Sequence, residues 1–85
     1  MRVPLRTEKA SCTILDYLQE RTCANPPEPF LCAGRIMRDL RMPKSVFYEA
    51  IGHLLGHEVG VIADGRRRYY YLMAMVAAYH ASLGH

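Results

Sequence analysis

The segment from Val59 to Leu72 restricts the possible folds of this 85-residue chain more than any other. Two runs rich in β-branched and aromatic residues flank the dipeptide Asp64-Gly65. Such a dipeptide between β-prone runs is a strong signal for a two-residue hairpin, because both central positions of a type I′ turn need a positive φ. With Asp64-Gly65 as the turn, Val61 is predicted to pair with Arg68. The hairpin is therefore expected to carry its arginines at the tip.

Three amphipathic helices are predicted before the hairpin, since apolar residues recur at steps of three and four. The first helix is expected to have Thr7 as its N-cap and to end at about Thr22. The second should run from Phe30 or Leu31 to about Arg41. The third should have Pro43 in its first turn and end near Gly56. The first two helices are separated by the connector Asn25–Pro29, which is stiffened by three prolines. A short strand is possible in this connector.

The whole chain, residues 1–85, fits a single domain, because its length suffices for one modest core. Residues 1–6 are expected to form a flexible arm. Residues 73–85 are predicted to form a fourth helix that is apolar on most sides and packs on the first helix or forms a dimer seam. The predicted fold is mainly α with a small β-hairpin: a winged helix-turn-helix with three helices, two strands and a final helix.

Composition limits the function only weakly. The formal net charge of +3 is too small an excess to require a polyanionic partner. Three cysteines without close pairing do not indicate a disulfide framework, and no apolar stretch reaches membrane-spanning length. A cytoplasmic protein without membrane contact is expected. The sequence contains no Gly-rich phosphate loop, nucleophile elbow or paired acid motif, so neither an enzyme nor a cofactor is predicted.

The centre of the chain has the layout of a helix-turn-helix. Four apolar residues are placed to fix the third helix against the second: Leu40, Met42, Phe47 and Ile51. This packing leaves the start of the third helix free to enter a DNA major groove, which is about 12 Å wide. The candidate DNA contacts of this recognition helix are Lys44, Ser45, Tyr48, Glu49 and His53. Glu49 can accept from a cytosine amino group, although a solvent-facing or salt-bridged carboxylate is the alternative.

Arginines form two further candidate contact sets. Arg66, Arg67 and Arg68 at the hairpin tip repel one another unless DNA phosphates or a narrow minor groove supply a negative field. The alternatives for them are solvated residues that protect an edge strand, or contacts with an acidic protein. On the second helix, the candidate phosphate contacts are Arg35, Arg38 and Arg41, with a solvated helix face as the alternative.

Two patterns carry a family resemblance: the rhythm Tyr48-x-x-Ile51-x-x-Leu54 and the strand Gly65-Arg66-Arg67-Arg68-Tyr69-Tyr70-Tyr71-Leu72. Through them, residues 31–72 resemble the winged-helix transcription regulators of the PadR and MarR type. The resemblance implies a recognition helix in the major groove, a wing tip in the adjacent minor groove and dimerisation through flanking helices. The chain departs from the pattern in its proline-rich connector, in Glu49, and in Glu58 and Val59 after the third helix.

The expected function is sequence-specific binding of double-stranded DNA by a small transcriptional regulator, a repressor, acting as a homodimer on half-sites about 34 Å apart. The alternative is a winged-helix protein-interaction module or small inhibitor that docks on a larger nucleic-acid-binding complex, which the weak net charge and Glu49 favour. Three less favoured hypotheses are base stacking on the tyrosines, a zinc site using His53, His57, His80 or His85 with the cysteines, and a redox switch through Cys23 and Cys32.

Overall fold

The computed structural model describes residues 5–75, which form three helices and a three-stranded antiparallel sheet. The elements are α1 (Leu5–Thr22), β1 (Leu31–Cys32), α2 (Ala33–Leu40), α3 (Lys44–Leu54), β2 (Val59–Asp64) and β3 (Arg67–Leu72). The central strand is β3, with β1 on one side and β2 on the other. Residues 73–75 are helical, and the remainder of the helix predicted over 73–85 lies outside the described residues. Within residues 5–75, none of the helices is long and apolar enough to cross a membrane.

A single core joins the helices to one face of the sheet. All three strands contribute a buried side chain to it, through Leu31, Val59 and Tyr70. The helices contribute Ala10, Ile14, Leu18, Ile36, Phe47, Ala50, Ile51 and Leu54, which recur at helical spacing. The Phe47 ring meets the Tyr70 ring edge to face, with centroids 5.7 Å apart. This contact fixes α3 against the central strand of the sheet.

Helix α1 begins two residues earlier than predicted, at Leu5, and ends at Thr22 as predicted. Thr7 therefore lies inside the first turn, and the prediction that it caps the helix was wrong. Its side chain is buried, and its hydroxyl donates a hydrogen bond to Glu49 of α3 over 2.5 Å. The last two residues of the predicted arm belong to α1, and residues 1–4 lie outside the described part of the chain.

The second helix begins later than predicted, at Ala33, because the residues before it form β1. Leu31 pairs with Tyr70 and Cys32 with Tyr69, so the backbone after the prolines completes the sheet before it turns into α2. The prolines keep the connector before β1 extended, which favours a strand over a helix where the connector ends. A short strand is thus present, but it lies at Leu31–Cys32, after the connector rather than in it as expected.

The turn between α2 and α3 is three residues long. Arg41 ends α2 in the left-handed conformation, and the N–H of Met42 donates to the carbonyl of Met37 over 2.9 Å. Pro43 was predicted to lie in the first turn of α3, but it is the N-cap residue of this helix. Of the four residues expected to fix α3 against α2, Phe47 and Ile51 are buried, while Leu40 and Met42 are partly buried against the same core.

Helix α3 ends at Leu54, two residues before the predicted end at Gly56. Gly56 has a φ of +81° in the turn that leads into β2. Its N–H donates to the carbonyl of Val59 over 3.0 Å, which closes this turn. The glycine therefore serves the connection to the sheet instead of ending the helix.

The predicted hairpin is present, but its turn is displaced by one residue. Asp64 pairs with Arg67 and Val61 with Tyr70, so Gly65 and Arg66 form the turn instead of Asp64 and Gly65. Gly65 has a φ of +64°, whereas Arg66 does not have a positive φ. This is the pattern of a type II′ turn, which needs only one residue with positive φ and spares Asp64 from that conformation. The predicted pairing of Val61 with Arg68 was therefore wrong.

Candidate nucleic-acid interface

A groove of about 730 Å³ lies between the start of α2, the helix α3 and the tip of the hairpin. The residues that line it are Cys32, Ala33, Gly34, Arg35, Arg38, Tyr48, Arg66, Arg67 and Arg68. We call it the arginine groove. It brings together one residue of the predicted recognition helix, all three arginines of the predicted wing and two of the three arginines predicted to contact phosphates.

The groove exists because the strands on the two sides of β3 have different lengths. On one side, β1 ends at Cys32, opposite Tyr69. On the other side, β2 follows β3 as far as Arg67. Within residues 5–75, the end of β3 near the tip therefore has no neighbouring strand on the β1 side, where α2 begins instead. The resulting space is enclosed by β3, α2 and α3.

The amino terminus of α2 forms one wall of the arginine groove. Cys32 is the N-cap residue, and its side chain makes no capping hydrogen bond. The first N–H groups of a helix have no partner within the helix, and together they carry a partial positive charge. Ala33 and Gly34, at these positions, have small side chains that leave the backbone accessible. This wall adds to the positive potential of the arginines.

Arg35 lies in the groove but already has acidic partners. Both of its terminal nitrogens donate to the Glu28 carboxylate, one of them over 3.0 Å, and its Nε lies 3.6 Å from Asp39. The hydrogen bond from Arg35 lowers the pKa of Glu28 below its usual value. Glu28 also lies 3.6 Å from Arg21 of α1. The charge of Arg35 is thus largely compensated within the protein.

Asp39 links the same cluster to α1. The Tyr17 hydroxyl donates to Asp39 over 2.6 Å, and this bond lowers the pKa of the carboxyl. Burial, followed by the contact with Asp39, raises the pKa of Tyr17 to about 12. We call Tyr17, Arg21, Glu28, Arg35 and Asp39 the connector clamp, because they fasten the proline connector to α1 and α2. The sequence analysis did not identify this cluster, whose members are up to 22 residues apart.

The other arginines of the groove are much more available. The Arg38 side chain is 77% exposed, and its Nε lies 3.7 Å from Asp39. Arg66, Arg67 and Arg68 are exposed, and no carboxylate among the described residues lies within salt-bridge distance of them. Four arginines therefore present charge to solvent around one groove.

The recognition-helix residues predicted from the sequence divide into three groups. Tyr48, 42% exposed, lines the arginine groove. Lys44, Ser45 and His53 are exposed on α3 but are not among the groove residues. Glu49 lies on the side of α3 that faces α1, where it accepts from Thr7 and its carboxylate lies 4.0 Å from Arg6. The structure thus favours the alternative in which Glu49 is held by the protein itself.

One remaining candidate lies elsewhere. Arg41, predicted to contact phosphate, is exposed at the end of α2 and is not a groove residue. The groove residues that the sequence analysis missed are Cys32, Ala33 and Gly34, because it placed the start of the second helix too early. The nearest sequence signal was the short strand considered possible in the connector that precedes them.

The zinc and thiol hypotheses gain little from the described residues. In residues 5–75, no three histidine, cysteine or acidic side chains lie close enough together to hold a metal ion. His80 and His85 lie outside the described residues. Cys12, Cys23 and Cys32 are free thiols, so the structure contains no Cys23–Cys32 disulfide.

Comparisons with known proteins provide no relative for this chain. No protein family matches it, and no curated protein or solved structure is similar to it. The geometry of the arginine groove and the chemistry of its residues are therefore the basis for assigning a function.

Proposed function

We propose that this protein binds double-stranded DNA as a winged helix-turn-helix and acts as a small transcriptional regulator, a repressor. In this proposal α3 is the recognition helix and the β2–β3 hairpin is the wing. The observation that supports it best is that Tyr48 of α3 and the three arginines of the hairpin tip line the same groove. A helix and a basic hairpin on one side of the molecule suit the adjacent major and minor grooves of a duplex.

The dimensions of α3 suit this role. Its eleven residues span about 16 Å at 1.5 Å per residue, and its outer side carries exposed Lys44, Ser45 and Tyr48 near the amino end. Recognition helices contact base edges mainly with residues near their amino end. The hydroxyls and the ammonium group there supply hydrogen-bond donors for phosphates and base edges.

Charge placement supports DNA binding although the net charge is small. The acidic residues Glu28, Asp39 and Glu49 are paired with groups of the protein away from the hairpin tip. The available positive charges of Arg38 and the tip arginines are concentrated around one groove. A local excess of this kind attracts a phosphate backbone regardless of the total charge.

The experiment is a binding titration of a labelled duplex of random sequence, followed by fluorescence anisotropy at 50 and 200 mM salt. If three or four phosphates are neutralised, the slope of log affinity against log salt is about −2.7 to −3.6. The fourfold increase in salt then weakens binding roughly 40- to 150-fold. Replacement of all three tip arginines by alanine should weaken binding and reduce the slope by about 2 to 3.

The matched control is Lys9→Ala, which removes one exposed positive charge of α1 outside the groove. It should change the affinity for the duplex by less than about twofold, because a distant exposed charge is largely screened at these salt concentrations. Absence of duplex binding by the wild-type protein at 50 mM salt would refute the proposal. Binding that is independent of the tip arginines would remove the wing from it.

A protein-interaction module remains the second candidate, and a separate surface favours it. Phe30, which precedes β1, and Ile62 of β2 are 43% and 46% exposed. Together with Tyr69 they line an open depression of about 430 Å³. Exposed apolar clusters of this kind often mark contacts between proteins. The Ile62→Lys substitution separates the two candidates: it should abolish a protein contact made there and leave duplex binding intact.

A further inference from the structure

We infer that the arginine groove holds one DNA backbone phosphate between Arg68, Tyr48 and Arg38, and that Arg67 supplies only a charge outside this contact. The inference deepens the proposed function and rests on it. It assigns different roles to two adjacent residues of the same type, which sequence alone presents as equivalent members of a run.

The register of the hairpin separates the two arginines. Successive side chains of a strand point to opposite faces of the sheet. Arg68 shares its face with Tyr70, which is 2% exposed and packs on Phe47 of α3. Arg68 is therefore directed toward the helical side of the sheet, where Tyr48 lies. Strand alternation directs the Arg67 side chain toward the other face, although Arg67 is also among the residues that line the groove.

The cross-strand neighbours differ as well. Arg67 is paired with Asp64, so an acidic side chain lies opposite it on the same face. Directly opposite residues in an antiparallel pair have Cβ atoms about 5 Å apart, and the two charges partly offset each other. Arg68 is paired with Ala63, which carries no charge. Arg68 is therefore the less compensated of the two.

Arg68 and Tyr48 both line the groove beside the buried Tyr70. Burial and the neighbouring Tyr48 raise the pKa of Tyr70, and the Arg68 guanidinium acts in the opposite direction. The Phe47 ring contacts both tyrosine rings edge to face, with centroids 5.1 Å from Tyr48 and 5.7 Å from Tyr70. Tyr48 and Arg68 thus line the same groove, one from α3 and the other from β3.

The opposite wall of the groove contributes Arg38 rather than Arg35. Arg35 is bound by Glu28 and Asp39 and has little charge to offer a ligand. Arg38 is largely exposed, and its one salt bridge among the described residues is the 3.7 Å contact between its Nε and Asp39. Two guanidinium groups and a hydroxyl can together donate to several oxygens of one phosphodiester, which is the geometry that arginine favours.

The experiment compares Arg67→Ala with Arg68→Ala in the duplex titration described above. The two variants have the same net charge and adjacent exposed positions, so a general electrostatic effect is equal in both. We expect Arg68→Ala to weaken binding about tenfold or more, as for loss of a charge-assisted hydrogen bond. It should also reduce the salt slope by about 0.9, whereas Arg67→Ala weakens binding less than about threefold.

Arg68→Lys keeps the charge but not the planar fork of donors. It should retain the salt slope and lose part of the affinity. Both side chains are exposed, so neither substitution should disturb the fold. Urea unfolding of each variant checks this. Equal losses for Arg67→Ala and Arg68→Ala would overturn the inference while leaving the proposed function standing. Absence of duplex binding by the wild-type protein would overturn the proposed function itself.

Discussion

Substitution of Gly60 by alanine is a direct test of how the outer face of the sheet is packed. A Cβ atom at Gly60 would lie 2.3 Å from Cζ of Tyr71 and 2.4 Å from its hydroxyl oxygen, far inside contact distance. The Tyr71 ring therefore covers this position and must move when a methyl group is added. It would then leave its edge-to-face contact with Phe30, whose ring centroid lies 5.5 Å away.

Two opposing contributions set the size of the effect. Loss of the aromatic pair costs about 0.5–1.5 kcal/mol. Alanine in place of a strand glycine stabilises by about 0.5–1 kcal/mol, because glycine loses more backbone entropy on folding. Gly60→Ala should therefore be nearly neutral or destabilising by up to about 1 kcal/mol in the wild-type background. In a Tyr71→Ala background it should stabilise by about 0.5–1 kcal/mol.

Urea unfolding of the four proteins of this double-mutant cycle measures the coupling, which we expect to be about 1 kcal/mol. The control is Gly52→Ala on α3, where no atom of the described residues outside the local helix backbone and the adjacent residues lies within 4 Å of the added Cβ. It should stabilise by about 0.5–1 kcal/mol in both backgrounds, since the position is an exposed helix interior. If Gly60→Ala stabilises the protein equally with and without Tyr71, the described position of this ring is wrong.

Two further predictions concern the turn between α2 and α3 and the connector clamp. Arg41→Gly should raise the free energy of unfolding by about 0.5–1 kcal/mol, because Arg41 has a φ of 52°, which glycine adopts more readily. Arg41→Ala should not raise it. Equal changes in the free energy of unfolding, measured in urea, would contradict this prediction. Glu28→Gln should lower stability at pH 7, because the pKa of Glu28 is lowered by Arg35 and its stabilising effect is present above about pH 4.5. That effect is lost as the pH falls through the lowered pKa of Glu28. The urea midpoints of unfolding of the wild type and of this variant should therefore approach each other at pH 3. A difference between the two midpoints that does not change with pH would exclude the ion pair as the cause.

The helices were predictable to the extent that burial follows a helical period. The buried residues of α3 recur as expected, and this pattern located the helix within two residues at its end. Helix ends were less predictable because they depend on distant partners. Thr7 has the side chain of an N-cap, yet its hydroxyl bonds to Glu49, 42 residues away. No local pattern contains such a contact.

The sheet shows the same limit. The Asp64-Gly65 signal located the hairpin, but the choice between two turns depended on which residue takes the positive φ. β1 has only two residues and exists because β3 offers it backbone partners. Its sequence alone continues the apolar pattern of the next helix, so the helix start was placed too early.

For the candidate site, side-chain type predicted more than side-chain partners. The sequence identified Tyr48 and the tip arginines as candidates, and they line one groove. From the sequence, Arg35 and Arg38 are equivalent candidates, three positions apart on α2. The acidic partners of Arg35 come from the connector and from α2 itself, and only the folded chain distinguishes a compensated arginine from an available one.

The two walls of the arginine groove differ in how they are held, and this difference makes the proposed function testable. The α2 wall is fixed by the connector clamp to α1 and by Ile36 to the core. The hairpin wall projects from the body, since residues 61–68 are all exposed and the nearest buried positions are Val59 and Tyr70. Within the described residues, the tip is therefore supported mainly by its own ladder, and substitutions there remove no buried surface. Loss of DNA binding in the tip variants would consequently report on lost contacts rather than on an unfolded core.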